Sequence, residues 1–280
     1  MTIVPDLELT IRKQRHHINN KNMKIVASEI IDTLLSMSNE EQKIILSRFF
    51  KTGKGEYGEG DKFLGIKVPQ TRLVVKQAKL QVPISEIEKL IYSEWHEVRV
   101  CGFLLLIEEM NAALPKGKQP FATNAEQREQ IIHFYLQHAK QANNWDLVDL
   151  SAPRILGNYL LFPKSDGVMP KRTILDELAI SDNLWEQRIA IVTNWTLIRQ
   201  GQYDDTFRIS SMLLHHPHDL IHKAVGWMLR EVGNRDLQLL EDYLESHYKE
   251  MHRTTLRYAI EKMKEPERKL LLSDKTKNKI

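Results

Sequence analysis

Apolar residues recur along this chain with the period of a helix. Ile25, Ile30, Ile31, Leu34 and Leu35 predict a first helix, and Ile44, Ile45 and Phe49 predict a second. Ser85-Glu86-Ile87-Glu88, after Pro83, carries an N-cap signature with Glu88 three residues beyond Ser85. Further periodic runs span 96–113, 124–140, 144–161, 171–179, 182–200, 204–214, 218–232, 236–247 and 251–263. Breaks rich in Pro, Gly, Asn or Asp separate most of them. No segment sustains the alternation of a strand, so the predicted class is all-α. Pro153 falls inside the run that begins at Asn144 and predicts a bend there.

The runs also repeat. Trp145, Trp185 and Trp227 recur at intervals of 40 and 42 residues. A basic residue followed closely by a small one recurs at Arg99, Arg188, Lys223 and Arg257, the last three 35 and 34 residues apart. Such periods, built from helix pairs, predict a curved solenoid of HEAT-like (armadillo-type) helical repeats with one helix of each pair lining a concave surface. A helical bundle with coincidental tryptophan spacing is the alternative.

Composition narrows the class of protein. The chain has 280 residues, 42% of them hydrophobic and 28% charged, which describes an ordinary globular protein. The longest apolar run, Cys101-Gly102-Phe103-Leu104-Leu105-Leu106-Ile107, ends at Glu108-Glu109, too short for a membrane span. The N-terminus has neither the basic start nor the apolar stretch of a signal peptide, which predicts a cytoplasmic protein. A single cysteine, Cys101, excludes an internal disulfide and any multi-cysteine metal site. No HExxH, P-loop or G-x-S-x-G motif occurs, and neither a metal nor a cofactor is expected. A net charge of +3 permits a polyanionic partner without demanding one. Basic residues gather at both ends, predicting a basic N-terminal extension (1–24), a repeat domain (25–263) and a basic tail (264–280).

The most telling pair is Trp145 and Asp149. At i and i+4 they share one face of a helix. A carboxylate costs several kcal/mol to desolvate without a partner, so beside an indole it suits a surface that holds a cation. Arg188 lies three residues beyond Trp185, and Arg230 three beyond Trp227. Guanidinium forks suit phosphate oxygens, and aromatic faces suit sugars or bases. Against this, Leu184, Ile189 and Ile191 mark Trp185 as core. Trp227 follows Gly226 and has better access to an open surface. Arg188 and Arg230, taken alone, also fit solvated faces or ion pairs between repeats. The stretch from Lys51 to Lys62 formally contains GxGxxG at Gly53, Gly55 and Gly58. It follows a helix and carries Glu56, Glu59 and Asp61, which argues against a nucleotide site. Lys51 and Lys54 are candidates for phosphate contact, with a plain surface loop as the simpler reading. His215-His216-Pro217-His218 reads as an interhelical loop.

Four segments together resemble one family: Phe63-Leu64-Gly65-Ile66, Asn144-Trp145-Asp146-Leu147-Val148-Asp149, Asp182-Asn183-Leu184-Trp185-Glu186-Gln187-Arg188 and Lys223-Ala224-Val225-Gly226-Trp227-Met228-Leu229-Arg230-Glu231. Their order is similar to that of the AlkD-type bacterial DNA alkylation repair glycosylases, over roughly residues 25–263. The resemblance implies a HEAT-like solenoid that removes cationic N-alkylated purines, such as 3-methyladenine and 7-methylguanine, from double-stranded DNA in base excision repair. It implies Asp149 as the catalytic carboxylate, Trp145 and Trp227 as aromatic walls, Arg188 as a cation on the DNA backbone, and a groove rather than a base-flipping pocket. Arg230, Lys54 and Lys51 are further candidates for DNA contact. The expected form is a monomer with no membrane association. Two rivals are a non-catalytic HEAT-like module that binds DNA or protein and a binder of distorted DNA that cuts no bond.

Overall fold

The computed structural model describes residues 24–273. Among these, every regular element is helical, and the one extended pairing is an isolated bridge between Lys62 and Trp95. The chain runs through α1 (Ala27–Leu35), α2 (Glu40–Phe49), α3 (Val68–Ala78), α4 (Ile84–Ile91) and α5 (His96–Ala113). It continues with α6 (Ala125–Gln137), α7 (Trp145–Ser151), α8 (Thr173–Ala179), α9 (Leu184–Val192) and α10 (Asn194–Ile198). Then come α11 (Asp204–Met212), α12 (Asp219–Gly233), α13 (Leu237–His247), α14 (Arg253–Ala259) and α15 (Glu265–Ser273).

The helices form two layers of a helical-repeat solenoid. In one, α5, α7, α9, α12 and α14 pack each on the next. In the other, α4 and α6 pack on α5, α8 on α9, and α11 and α13 on α12. Helix α5 is buried nearly along its whole length, which explains the continuous apolar run at Cys101–Ile107. No helix among the described residues is long and apolar enough to cross a membrane. The basic echo also finds its place: Arg99, Arg188, Lys223 and Arg257 all belong to the first layer.

Three local readings change. Helix α2 buries none of its residues, and Ile44, Ile45 and Phe49 are exposed at 55%, 57% and 60%. Its apolar residues stay largely in the open, and Phe49 makes edge-on ring contacts with Phe50 and with Trp145 at the start of α7. Ser85 does not cap α4, which begins at Ile84 after Pro83. Glu86 instead accepts the Ala27 N–H at 2.8 Å and the Lys89 ammonium at 2.6 Å, tying α1 to α4. Helix α15 occupies part of the predicted basic tail, while most of the N-terminal extension and the last seven residues (274–280) lie outside the described residues.

Helices α12 and α14 approach closely because Gly226 has no side chain. A Cβ there would lie 2.5 Å from the Thr255 carbonyl oxygen and 2.5 Å from Tyr258 Cβ. Gly226→Ala gains about 1 kcal/mol of helix propensity but loses more by forcing these backbones apart. The expected net destabilisation is about 2 kcal/mol, read from the urea midpoint at unchanged slope.

Candidate active site

Helix α7 carries the Trp145–Asp149 pair. Asn144 caps it, its side-chain oxygen accepting the Trp145 N–H at 2.8 Å. The helix stops at Ser151, and a π turn follows at Pro153–Gly157, closed by Gly157 N–H donating to the Ala152 carbonyl at 3.0 Å. Pro153 has no N–H for the Asp149 carbonyl four residues earlier, so the predicted bend is a change of helix type one turn past Asp149.

Asp149 and Arg188 form a fork between neighbouring helices of one layer. Arg188 Nε donates to Oδ1 at 2.9 Å and Nη2 to Oδ2 at 2.8 Å. Nη1 donates to the Leu220 carbonyl at 2.6 Å, joining α7, α9 and the start of α12. The Arg188 side chain is 6% exposed and that of Asp149 19%. Burial raises the Asp149 carboxyl above the ordinary 3.8, the Arg188 charge and hydrogen bonds oppose the rise, and Asp146 adds repulsion. Each carboxylate oxygen keeps acceptor capacity beyond its bond to Arg188. The arrangement is an oriented, partly open anion.

Trp145 is half-buried, and one ring face stacks on Phe50 with centroids 5.3 Å apart and planes 20° apart. Phe50 stacks in turn on Phe63 at 5.0 Å, and Phe63 on His96 at 4.5 Å. This column leads to a buried charge network that periodicity did not reveal. His96 Nδ1 faces Asp61 Oδ2 at 2.8 Å and Nε2 faces Asp146 Oδ2 at 2.9 Å. Asp61 also accepts from Arg99 at 2.5 Å and from the Asn144 amide at 3.1 Å. Both ring nitrogens donate, so the ring is an imidazolium. Burial alone would depress its pKa, but the Asp146 and Asp61 carboxylates overcome this and push it up to about 9. Asp61 is likewise driven up by burial, then held below its ordinary value by His96 and Arg99.

The Phe63–Ile66 segment wraps the start of α5. Buried Glu97 accepts the N–H groups of Leu64 at 2.8 Å, Gly65 at 2.8 Å and Ile66 at 3.0 Å. Gly65, at φ +82°, lies so near α2 that a Cβ would sit 2.0 Å from the Asn39 carbonyl oxygen. These contacts fix the far end of the glycine-rich loop.

That loop is folded against itself. Gly53 N–H donates to Glu56 at 2.9 Å and Gly55 N–H to Glu59 at 2.7 Å, so its own carboxylates fill the positions a phosphate would need. Lys51 and Lys54 are exposed, and Lys51 Nζ lies 6.0 Å from the Tyr57 ring centroid. Tyr57 reaches over the site, where its ring meets that of Trp185 edge-on at 6.4 Å and its hydroxyl lies in hydrogen-bonding reach of the Trp145 side chain.

The remaining candidates are distributed less simply. Trp185 is 8% exposed and belongs to the core cluster. Trp227 is half-buried on α12 and donates its indole N–H to Glu231 at 3.3 Å; the contacts beside Gly226 are those of α14, not an open surface. Arg230 forms an ion pair with Glu261, and Arg188 is committed to Asp149 and Leu220, so both follow the repeat-to-repeat ion-pair reading. His216 meets Gln187 at 2.8 Å, and His218 caps α12 through Leu220 N–H, as a loop at a helix start should. No group of metal-ligating side chains appears among the described residues.

A two-layer helical repeat bearing an arginine-held carboxylate beside a tryptophan defines a narrow class of protein. The sequence profile of the DNA alkylation repair enzymes matches residues 30–263, and the chain belongs to that family. A solved structure, described as a predicted DNA alkylation repair enzyme from Enterococcus faecalis, shares the fold at a TM-score of 0.59. It is 18% identical, and the match covers 81% of this chain and 97% of that one. No curated protein gives a significant match.

The imidazolium at the centre of the network ties stability to pH. Its folded pKa is about 9 against 6.5 for a free histidine, so its contribution is complete below pH 6.5 and is lost as pH rises through about 9. That contribution amounts to at most about 3 kcal/mol. Denaturation midpoints should fall across this window, and His96→Gln should lower and flatten the profile. A wild-type profile flat from pH 6.5 to beyond 9 would exclude the charged ring.

Proposed function

We propose that this chain is a DNA N-glycosylase. It hydrolyses the N-glycosidic bond of cationic N3- or N7-alkylated purines, such as 3-methyladenine and 7-methylguanine, in duplex DNA. Membership of the DNA alkylation repair family supports the repair role. The observation that carries the glycosylase reading is Asp149: a partly open carboxylate, oriented by Arg188 and one turn from the half-buried Trp145.

An alkylated purine already bears the positive charge that a general acid would otherwise supply, so it departs as a neutral base. Bond cleavage leaves oxocarbenium character on the deoxyribose, as in sugar hydrolysis. A carboxylate about 4 Å from that charge, at an effective dielectric of 20, gains roughly 4 kcal/mol. This corresponds to about a thousandfold in rate, enough for an activated leaving group and too little for a normal purine. Asp149 stabilises the sugar cation and orients the attacking water through its remaining lone pairs. Trp145 and Trp227 bound the site and exclude solvent. Arg188 acts as a positioning residue, and Lys51, Lys54 and Arg230 border the path of the phosphate backbone. The protein acts as a monomer on double-stranded DNA and uses no cofactor.

Asp149→Asn should fold, keep DNA binding, and lose release of free 3-methyladenine and 7-methylguanine from methylated duplex by about a thousandfold. Full release by the variant would remove Asp149 from the mechanism, and binding without release by the wild type would favour a non-catalytic module. A second measurement addresses Arg188. Because the Asp149 carboxyl is raised, the acid limb of the rate profile should have its midpoint above 3.8. Arg188→Ala removes the opposing charge and should move that midpoint higher, with the salt dependence of DNA binding unchanged. A shallower salt slope would instead assign Arg188 to a phosphate.

A further inference from the structure

We infer that His96 is a positioning residue for the reaction: by holding Asp146 it fixes the turn that presents Trp145 and Asp149, and it keeps a second carboxylate on that helix from standing uncompensated beside Asp149. The role rests on the glycosylase reading above. Three consecutive residues at the start of α7 are each fastened to the frame around α5. The Asn144 amide donates to Asp61 Oδ2 at 3.1 Å, while its oxygen accepts the Trp145 N–H at 2.8 Å. Trp145 stacks on Phe50. Asp146 accepts from His96 Nε2 at 2.9 Å through Oδ2, and from the Leu147 N–H at 2.9 Å through Oδ1. Asp61 closes the clamp, because its Oδ2 also faces His96 Nδ1 at 2.8 Å. One imidazole ring thus ties the segment before Phe63 to the turn that bears the site.

His96 stands where a helix least favours a cation. It is the first residue of α5, Arg99 follows within the first turn, and both positive groups oppose the helix dipole. The acids facing the ring, not α5 itself, keep its charge there. The balance is close: Asp61 and Asp146 face His96 and Arg99, and Asp149 faces Arg188. The His96 side chain is 2% exposed and that of Asp146 15%, so water does little to screen either charge. Burial raises the Asp149 carboxyl, Arg188 opposes the rise, and Asp146, three residues earlier, adds to it. The Tyr57 hydroxyl, raised chiefly by burial, also feels Asp146, so the field of this carboxylate reaches the groove. Removing the imidazolium leaves Asp146 without its cation, and two carboxylates one turn apart then depend on Arg188. Asp149 takes up a proton more readily, and the anion is lost at a higher pH. Removing the Asp146 charge does the opposite, since His96 and Arg99 then face Asp61 alone. A network that merely held α7 in place would respond to both losses alike.

The test follows release of 7-methylguanine from duplex DNA against pH, at saturating enzyme, for wild type, His96→Gln, Asp146→Asn and the double variant. The carboxyl carbon of Asp149 is titrated by NMR in the same four proteins, and denaturation midpoints confirm that each is folded. His96→Gln should raise the midpoint of the acid limb by roughly half a pH unit. It should also lower the plateau rate about tenfold, because the turn bearing Asp149 is no longer held. Asp146→Asn should lower the midpoint by a similar amount, and the double variant should return it close to that of wild type. Asp146→Asn keeps an acceptor oxygen for His96 Nε2; should His96→Gln fail to fold, this variant decides alone, and a midpoint unchanged or raised in it overturns the inference. Where all four fold, single-variant midpoints that move together or not at all, or a plateau unchanged in His96→Gln, overturn it even though base is released. Should wild type release none, the glycosylase reading fails by itself and the Asp149 titration decides. Displacements of opposite sign in the two single variants then uphold the hold of His96 on the carboxylate, and displacements of one sign or none overturn it.

Discussion

A carboxylate that must remain an anion while largely out of water depends on what holds it, and here the holder is Arg188. Transfer of either charge alone from water costs several kcal/mol, so each is stabilised by the presence of the other. The guanidinium is planar and always charged, and its fork geometry matches both carboxylate oxygens at once. Its remaining bond to the Leu220 carbonyl extends the constraint to a third repeat. One side chain thus links α7, α9 and the start of α12 and orients the Asp149 carboxylate. Burial and the neighbouring Asp146 keep the carboxylate more basic than a surface aspartate, against the opposing pull of Arg188.

The second layer of support lies at the start of α7, through Asn144 and Asp146. Two carboxylates, Asp61 and Asp146, share one imidazolium, and Arg99 adds a second cation against Asp61. The network sits beneath an aromatic column that ends at Trp145. Packing and charge are coupled here: displacing Phe63 or Phe50 would disturb the ring that bridges the acids. Glu97, which gathers three backbone N–H groups at Leu64, Gly65 and Ile66, does for the chain entering α3 what Arg188 does for the repeats.

The glycine-rich stretch illustrates how a local pattern misleads when its environment is unknown. Its GxGxxG spacing suits a phosphate cradle, yet Glu56 and Glu59 occupy the Gly53 and Gly55 N–H groups. What it brings against Trp145 and Trp185 is Tyr57, a residue with no periodic or motif signal of its own. Within the repeat layer, the same inner position serves different ends. Arg99 neutralises a buried network, Arg188 orients the partly open carboxylate of Asp149, and Lys223 pairs with Asp219 one turn away.

Residue order alone determined the class of fold and the most prominent half of the site. Helical periodicity follows from local burial, so the α5 boundaries at 96 and 113 were legible, as was the interruption at Pro153. Trp145 and Asp149 were legible because an i, i+4 pair is a local geometry. Long-range pairing was not. His96 meets Asp61 and Asp146, residues 35 and 50 positions away, and Arg188 meets Asp149 across 39. Those distances close only when the repeats stack, and the stacking decides which buried charges find partners. Helix α2 shows the converse: its apolar residues predict a core face, but Ile44, Ile45 and Phe49 remain exposed, with Phe49 only touching Trp145. A sequence records which side chains seek burial or a counter-charge; the tertiary structure decides which of them obtain it.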